Sequence, residues 1–139
     1  MDDRLVREML TDHARNPRNY GEIPAPDAEG KATNEQCVGP THPDGDNVRV
    51  QVVLSDDDMM VESVRFTGQG CTLSQASASL LSERMIGTAG ADIGAWDSEY
   101  IEERLGMEVT PSRLHCAELV LTAFREATAA QNTGTDPSD

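Results

Sequence analysis

The spacing of apolar residues changes near the middle of the chain. Residues 48–52 alternate apolar and polar side chains, as a strand with one solvated face does. Residues 60–66 alternate in the same way, with Glu62 as the exception, so the two segments predict a β-hairpin or meander. Residues 71–86 instead have the apolar spacing of a helix. The expected buried stripe of that helix comprises Leu73, Ala76, Leu80 and Leu81.

Three further helices are predicted from apolar spacing and from residues that start helices. The first covers residues 3–15, a short one covers 98–105, and the last runs from Thr110-Pro111 to about Ala129. Residues 16–47 are rich in Pro, Gly, Asp and Asn, and we expect them to form one long loop. The order of these elements predicts an α+β fold, in which a small antiparallel sheet packs against several helices.

The chain is short and strongly acidic. Its 139 residues suit one domain, and we expect that domain to cover residues 1–130. Residues 131–139 lack apolar side chains and predict a disordered tail. The formal net charge is −14, and Lys31 is the only lysine. Such a surface repels nucleic-acid phosphates and anionic lipid headgroups, so we exclude nucleic acids and membranes as partners.

The same composition indicates where the protein works. An acidic, lysine-poor, halophile-like surface suits concentrated salt, where screening acts within about 3 Å. The sequence has no apolar run near the about 18 residues of a membrane span and no secretion signal, so we expect a cytoplasmic protein. Its three cysteines are therefore poor candidates for disulfides.

The cysteines are candidates for metal ligands or nucleophiles. Cys37 lies in a polar loop with no core to fill, and Cys71 begins a helix directly after Gly68-Gln69-Gly70. Cys116 lies on an apolar stripe, so a packed side chain and a ligand are equally consistent with its position. Three thiolates with an imidazole or a carboxylate form a ligand set for zinc or for an iron–sulfur cluster.

The three histidines differ in their context. His115 is next to Cys116, which raises the possibility that it is a ligand. We expect His13 and His42 to be structural. A thiol enzyme with Cys116 as nucleophile and His115 as base is a third possibility, but adjacent helical residues point about 100° apart.

Three motifs in this order resemble one known family. They are Asp12-His13-Ala14-Arg15-Asn16-Pro17-Arg18-Asn19, then Gly68-Gln69-Gly70-Cys71 with the Ser- and Ala-rich residues 74–79, and then Arg113-Leu114-His115-Cys116-Ala117. Together they resemble the U-type iron–sulfur scaffold family, which includes IscU, SufU and the N-terminal domain of NifU. The resemblance covers residues 3 to 130 and implies the SufE/IscU-like α+β fold.

The resemblance implies a function and a set of site residues. It implies a scaffold that accepts sulfur from a cysteine desulfurase and holds iron or a nascent cluster, most simply a [2Fe–2S] cluster, on three cysteines and an aspartate. The matching positions are Cys37, Asp46, Cys71 and Cys116, with His115 as a further candidate ligand. Downstream cluster carriers or a Suf assembly complex would be the other partners. The alternative is a zinc-dependent, SufU-like sulfurtransferase that activates a desulfurase without building a cluster.

The sequence departs from the family pattern at the first cysteine. In the family this cysteine is directly followed by Gly-Asp, whereas here Val38 to Asp44 separate Cys37 from Gly45-Asp46. Either the loop folds back to present Cys37, or Asp44 or His42 stands in for it. We expect the loop to fold back and Asp46 to be the fourth ligand.

Overall fold

The computed structural model describes residues 3–40, 42–55 and 59–135. The strands are β1 (Ala28–Asn34), β2 (Asp46–Leu54) and β3 (Val61–Gln69). The helices are α1 (Asp3–Arg15), α2 (Thr72–Met85), α3 (Gly90–Gly94), α4 (Ser98–Leu105), α5 (Pro111–Ala117) and α6 (Leu119–Thr135). None of the helices in these ranges combines the length and the apolar character that crossing a membrane requires.

The three strands form one antiparallel sheet in the order β1-β2-β3. One face of the sheet carries the core, where Val50, Val52, Val64 and Phe66 are completely buried. Helices α2 and α6 pack against this sheet, and α1 packs against α2. The α+β fold with a small antiparallel sheet is therefore confirmed.

Strand β1 was not expected, because residues 16–47 were interpreted as one loop. The residues that face the core from β1 are Ala28, Gly30 and Ala32, which are too small to give a clear strand pattern. Their size follows from the packing of α6. A Cβ atom at Gly30 would overlap the backbone of Ala123 and Ala127, so helix and strand approach each other directly.

The expected hairpin has a bulge in its second strand. The register between β2 and β3 shifts at Val53 and Leu54, whose partners are Ser63 and Val61. Glu62 is the extra residue, which explains why it broke the alternation of residues 60–66. The shift buries Val61 and leaves Met60 37% exposed.

The last predicted helix is divided in two at Glu118. Residue Glu118 has φ −99° and ψ 5°, outside regular helix geometry, and it separates α5 from α6. The Ser77 hydroxyl of α2 donates to the carbonyl oxygen of Ala117, which ends α5 at this residue. The single helix predicted from Thr110 to Ala129 was therefore wrong, because a tertiary contact interrupts it.

The ends of the other helices agree well with the sequence. Helix α1 begins and ends at the predicted residues, and α4 also does so. Helix α6 continues through Thr135, past the domain end at residue 130 that we expected. Residues 136–139 of the expected tail lie outside the described residues, so this domain boundary stays a prediction.

Helix α1 is attached to α2 by buried polar contacts. The Nδ1 atom of His13 lies 2.8 Å from the Ser79 hydroxyl, and the backbone N–H of Arg18 donates to the same oxygen at 2.8 Å. Burial and the nearby positive charge of Arg18 lower the pKa of His13, against the opposing effects of Glu83 and Asp12. His13 therefore has the structural role expected from the sequence.

Candidate metal centre

Four potential ligands meet at one end of the sheet. The antiparallel register places the end of β1, the start of β2 and the end of β3 at the same edge. Cys37 follows β1, Asp46 opens β2, Cys71 follows β3, and Cys116 comes from α5. One ligand atom from each of these residues lies within 4.8 Å of all the others.

Asp46 forms the floor of this group and is completely buried. Its Oδ1 accepts a hydrogen bond of 2.9 Å from Ser74, and its Oδ2 lies 3.7 Å from the Cys71 sulfur. Burial raises the pKa of Asp46, and hydrogen bonds with Ser74, Cys116 and Cys71, followed by the electrostatic effect of His42, oppose that rise. A carboxylate buried beside three sulfur atoms favours the binding of a cation.

Cys71 stands at the junction of β3 and α2. It is the residue that precedes the first turn of α2, with extended backbone, and its sulfur makes no capping hydrogen bond to the helix. The sulfur is therefore directed toward Asp46. Gly70 makes this arrangement possible, since a Cβ atom there would overlap Asp46 Oδ1 and the Ser74 hydroxyl.

Cys116 is the most buried of the three cysteines. The side-chain amide of Asn34 donates to its sulfur at 3.5 Å. Burial, followed by the neighbouring Cys37 and Cys71 thiols, raises the pKa of Cys116 well above its ordinary range. Without a cation the site favours a protonated thiol here, so metal binding must release that proton.

Cys37 reaches the group from the loop after β1. Its backbone N–H donates to the carbonyl oxygen of Asn34 at 3.2 Å, and its sulfur lies 3.8 Å from Nε2 of His42. Burial is the largest influence that raises the pKa of Cys37. The structure therefore has the loop folded back onto the site, with Cys37 beside the other cysteines.

The other candidate ligands lie differently. His115 is exposed and lines the wall of the cavity, outside the group of four. Asp44 is exposed on the loop and is also outside this group. His115 is exposed, whereas Cys116 is buried and its sulfur is grouped with Cys37, Asp46 and Cys71, so the site favours a ligand role for Cys116 over a nucleophile paired with His115.

Two residues near the site were missed in the sequence: Ser74 bonds Asp46, and Asn34 bonds Cys116. Ser74 is three residues after Cys71, so the helical spacing offered a signal for it. Asn34 had no such signal, since its contact depends on how the chain folds. His42, which we expected to be structural or to stand in for Cys37, contacts Cys37.

The site opens into a cavity of about 710 Å³. All three cysteines line it, together with Arg113 and His115 from α5. This volume exceeds what an ion needs, so a partner's side chain can enter.

The donor chemistry fits a soft metal. Three thiolates with one carboxylate suit zinc or iron in sulfur-rich sites. Two sulfur ligands at about 2.3 Å from a tetrahedral zinc ion are about 3.8 Å apart. The four ligand atoms lie within 4.8 Å of one another, so they close in by up to about 1 Å to hold one ion. Cys37, Asp46, Cys71 and Cys116 would hold such a metal.

Comparison with known proteins gives a consistent result. The family model described as NifU-like N terminal domain matches residues 6–134. IscU from Haemophilus influenzae, named as an iron–sulfur cluster assembly scaffold protein, is 31% identical over 88% of this chain and 91% of its own. SufU from Bacillus subtilis, named as a zinc-dependent sulfurtransferase, is 30% identical over 95% of each chain.

Two further matches agree with this result. The bifunctional protein NifU/MnmA from Rubrobacter xylanophilus is 34% identical over 85% of this chain, which spans only 22% of that longer protein. The crystal structure of SufU from Fervidobacterium islandicum has the same fold, with a TM-score of 0.68 and 20% identity over 91% of this chain and 98% of that one. The chain therefore belongs to the family of NifU-like N-terminal domains.

Proposed function

We propose that this protein is a scaffold for iron–sulfur cluster assembly. In this role it accepts sulfur from a cysteine desulfurase and holds iron or a nascent [2Fe–2S] cluster as its cargo. The observation that carries the proposal is the gathering of Cys37, Asp46, Cys71 and Cys116 within 4.8 Å at an open cavity. Sulfur-rich sites with a replaceable oxygen ligand suit a protein that must release its cargo.

Sulfur transfer in this proposal is a thiol exchange. A thiolate of Cys37 or Cys116 attacks the outer sulfur of the desulfurase persulfide, and that sulfur's bond to the desulfurase cysteine breaks. The desulfurase cysteine leaves as a thiolate, and the persulfide then resides on the scaffold. The cavity supports this step because it has room for an entering side chain.

The proposed setting follows from the same chemistry. Three free cysteines near one another require a reducing compartment, so we place the protein in the cytoplasm. Downstream cluster carriers or a Suf assembly complex would receive the product. Adaptation to concentrated salt remains a prediction from the net charge of −14.

The test is anaerobic reconstitution with ferrous iron, cysteine and a desulfurase. We expect a visible cluster chromophore with the wild-type protein and its loss in Cys71→Ser. Ser112→Ala, on the wall of the same cavity, is the matched control and should retain the chromophore. The absence of a chromophore in the wild-type protein, with the desulfurase active, would contradict the scaffold function.

A zinc-dependent sulfur acceptor is the second candidate. The donor set supports it, because three thiolates and one carboxylate can form a four-coordinate zinc site. The similarity to the zinc-dependent sulfurtransferase from Bacillus subtilis also supports it. If this function applies, the zinc-loaded protein will increase desulfurase turnover, and the same protein without zinc will not.

A further inference from the structure

Backbone hydrogen bonds hold Gly39 and His42, which lie between Cys37 and Gly45-Asp46 in the sequence. Gly39 and His42 exchange backbone hydrogen bonds, with Gly39 N–H to His42 oxygen at 3.3 Å and the reverse bond at 3.1 Å. The N–H of Gly45 also donates to the His42 oxygen, at 3.1 Å. The segment therefore presents His42 in a defined position.

The His42 ring lies between this segment and the candidate metal centre. The residue is only 7% exposed, and its Nε2 is 3.8 Å from the Cys37 sulfur. Gly39 leaves space for the ring, since a Cβ atom there would be 2.9 Å from His42 Cε1.

We propose that His42 is an alternative ligand of the centre, which replaces the Cys37 sulfur when that sulfur is engaged in other chemistry. The inference rests on the proposed function, because it assumes that the four-residue group binds a metal. An imidazole nitrogen is a good ligand for zinc and iron. His42 now lies outside the group of four, with Nε2 3.8 Å from the Cys37 sulfur. The exchange keeps four ligands on the ion when a movement of the loop brings Nε2 into the position that the sulfur vacates.

The location of the two residues makes exchange possible. Cys37 and His42 belong to the same loop, so a small movement of that loop substitutes one for the other. Asp46 and Cys71 lie at the ends of a strand and a helix, where such a movement would break regular structure. His115 lines the cavity, but it is exposed on the wall.

Cobalt(II) titration of the full chain tests the proposal, with affinity measured by competition against a chelator. In the wild-type background, His42→Gln should change the dissociation constant by less than about threefold. In the Cys37→Ala background, His42→Gln should raise the dissociation constant by more than about tenfold. The thiolate-to-cobalt absorption of Cys37→Ala should correspond to two sulfur ligands, and X-ray absorption should report a nitrogen ligand that disappears in the double variant.

Cys37→Ala with His115→Gln is the matched control, and it should bind cobalt as Cys37→Ala alone does. Circular dichroism of each variant checks that the fold is retained. Equal cobalt affinities for Cys37→Ala with and without His42→Gln would overturn the inference alone. If His115→Gln, and not His42→Gln, lowers the cobalt affinity of Cys37→Ala, then His115 is the replacing ligand and the inference about His42 is overturned. Failure of the wild-type protein to bind cobalt through thiolates would remove the centre, and with it the proposed function.

Discussion

Apart from Cys116, which comes from α5, the residues of the candidate metal centre fall into two halves that are held in different ways. We call Asp46, Cys71 and Ser74 the braced half, because they lie on β2 and at the start of α2 and are hydrogen-bonded to one another. We call Cys37 and His42 the loop half, because they lie on the segment between β1 and β2. The braced half belongs to the regular structure of the domain, whereas the loop half rests on a few backbone bonds.

A site that binds a metal or cluster and then releases it has two requirements, and each half of this site meets one of them. Side chains fixed by strands and helices keep their geometry without a metal, so they supply a preformed part of the site. A loop opens with a smaller free energy than a core element, so ligands on it exchange more readily. We infer that affinity comes mainly from the braced half and exchange mainly from the loop half.

The largest effect is expected for Gly70→Ala, which attacks the braced half. The new methyl group overlaps Asp46 Oδ1 and the Ser74 hydroxyl, both of which are buried. We expect the free energy of unfolding, measured with urea and a chelator, to fall by about 1–3 kcal/mol. Cobalt affinity should fall by at least about tenfold.

Gly94→Ala is the matched control for that variant. A Cβ atom at Gly94 has no neighbouring atom within 4 Å, so this substitution should leave both stability and cobalt affinity unchanged. Equal losses for the two variants would show that the effect comes from replacing any glycine and not from the braced half.

The second prediction concerns the charge of Asp46. Its pKa is raised in the folded protein, mainly by burial, so the ionised carboxylate destabilises the metal-free fold. The penalty is absent below the unfolded pKa of 3.8 and grows as the pH rises through the folded pKa. Asp46→Asn should therefore stabilise the metal-free protein by about 1 kcal/mol at neutral pH, and by less in acid.

Zinc should reverse the sign of that effect. The variant loses an anionic ligand, so zinc raises the melting temperature of the wild-type protein more than that of Asp46→Asn. Thermal unfolding with and without zinc measures both effects. If Asp46→Asn is less stable than wild type at neutral pH without metal, the prediction that the buried Asp46 carboxylate destabilises the metal-free fold is wrong.

The sequence predicted the frame of the molecule better than its joints. Helices α1 and α4 were placed correctly because their apolar spacing is strong and local. Strand β1 was missed because Ala28, Gly30 and Ala32 are too small to give a strand pattern. They are small because α6, which is distant in the sequence, packs directly on this strand. The break at Glu118 was missed for a similar reason, since its cause is a hydroxyl on α2.

The same distinction applies to the site. The three cysteines and Asp46 were found from motifs along the chain, and the structure brings all four together. The contact of Asn34 with Cys116 is set by tertiary packing, which spacing along a sequence does not report, whereas Ser74 lies one helical turn after Cys71 and could have been found.

The third prediction concerns His13, which contacts Ser79 of α2, the helix that begins after Cys71 and carries Ser74. Burial and the positive charge of Arg18 lower the pKa of His13. The ring is therefore protonated at a lower pH in the folded protein than in the unfolded chain. The ring is neutral in both states above about pH 6.5, and stability falls as the pH drops below that value. His13→Gln removes this dependence, so the stability gap between wild type and variant should narrow in acid by less than about 1 kcal/mol.

Urea unfolding at about pH 7.5 and about pH 5.5 gives the comparison. The groups that face the ring are Arg18, Glu83, Asp12 and Ser79, and all of them are unchanged in the variant. A gap that widened as the pH fell would mean that the protonated ring is stabilised by Glu83, 3.9 Å away, more than it is penalised by burial.

The smallest effect is expected for Gly39→Ala, the loop-half counterpart of Gly70→Ala. The added methyl group would lie 2.9 Å from Cε1 of the His42 ring, which is closer than two such atoms can approach, so one of them must move. The neighbour here is a side chain on a loop, so it moves aside, and we expect the free energy of unfolding to change by less than about 0.5 kcal/mol. Cobalt affinity should stay the same while Cys37 is present, because the four main ligands are untouched. A loss as large as that of Gly70→Ala would show that the loop is as rigid as the strands. In that case ligand exchange would need the whole domain to open, and the division of the site into two halves would fail.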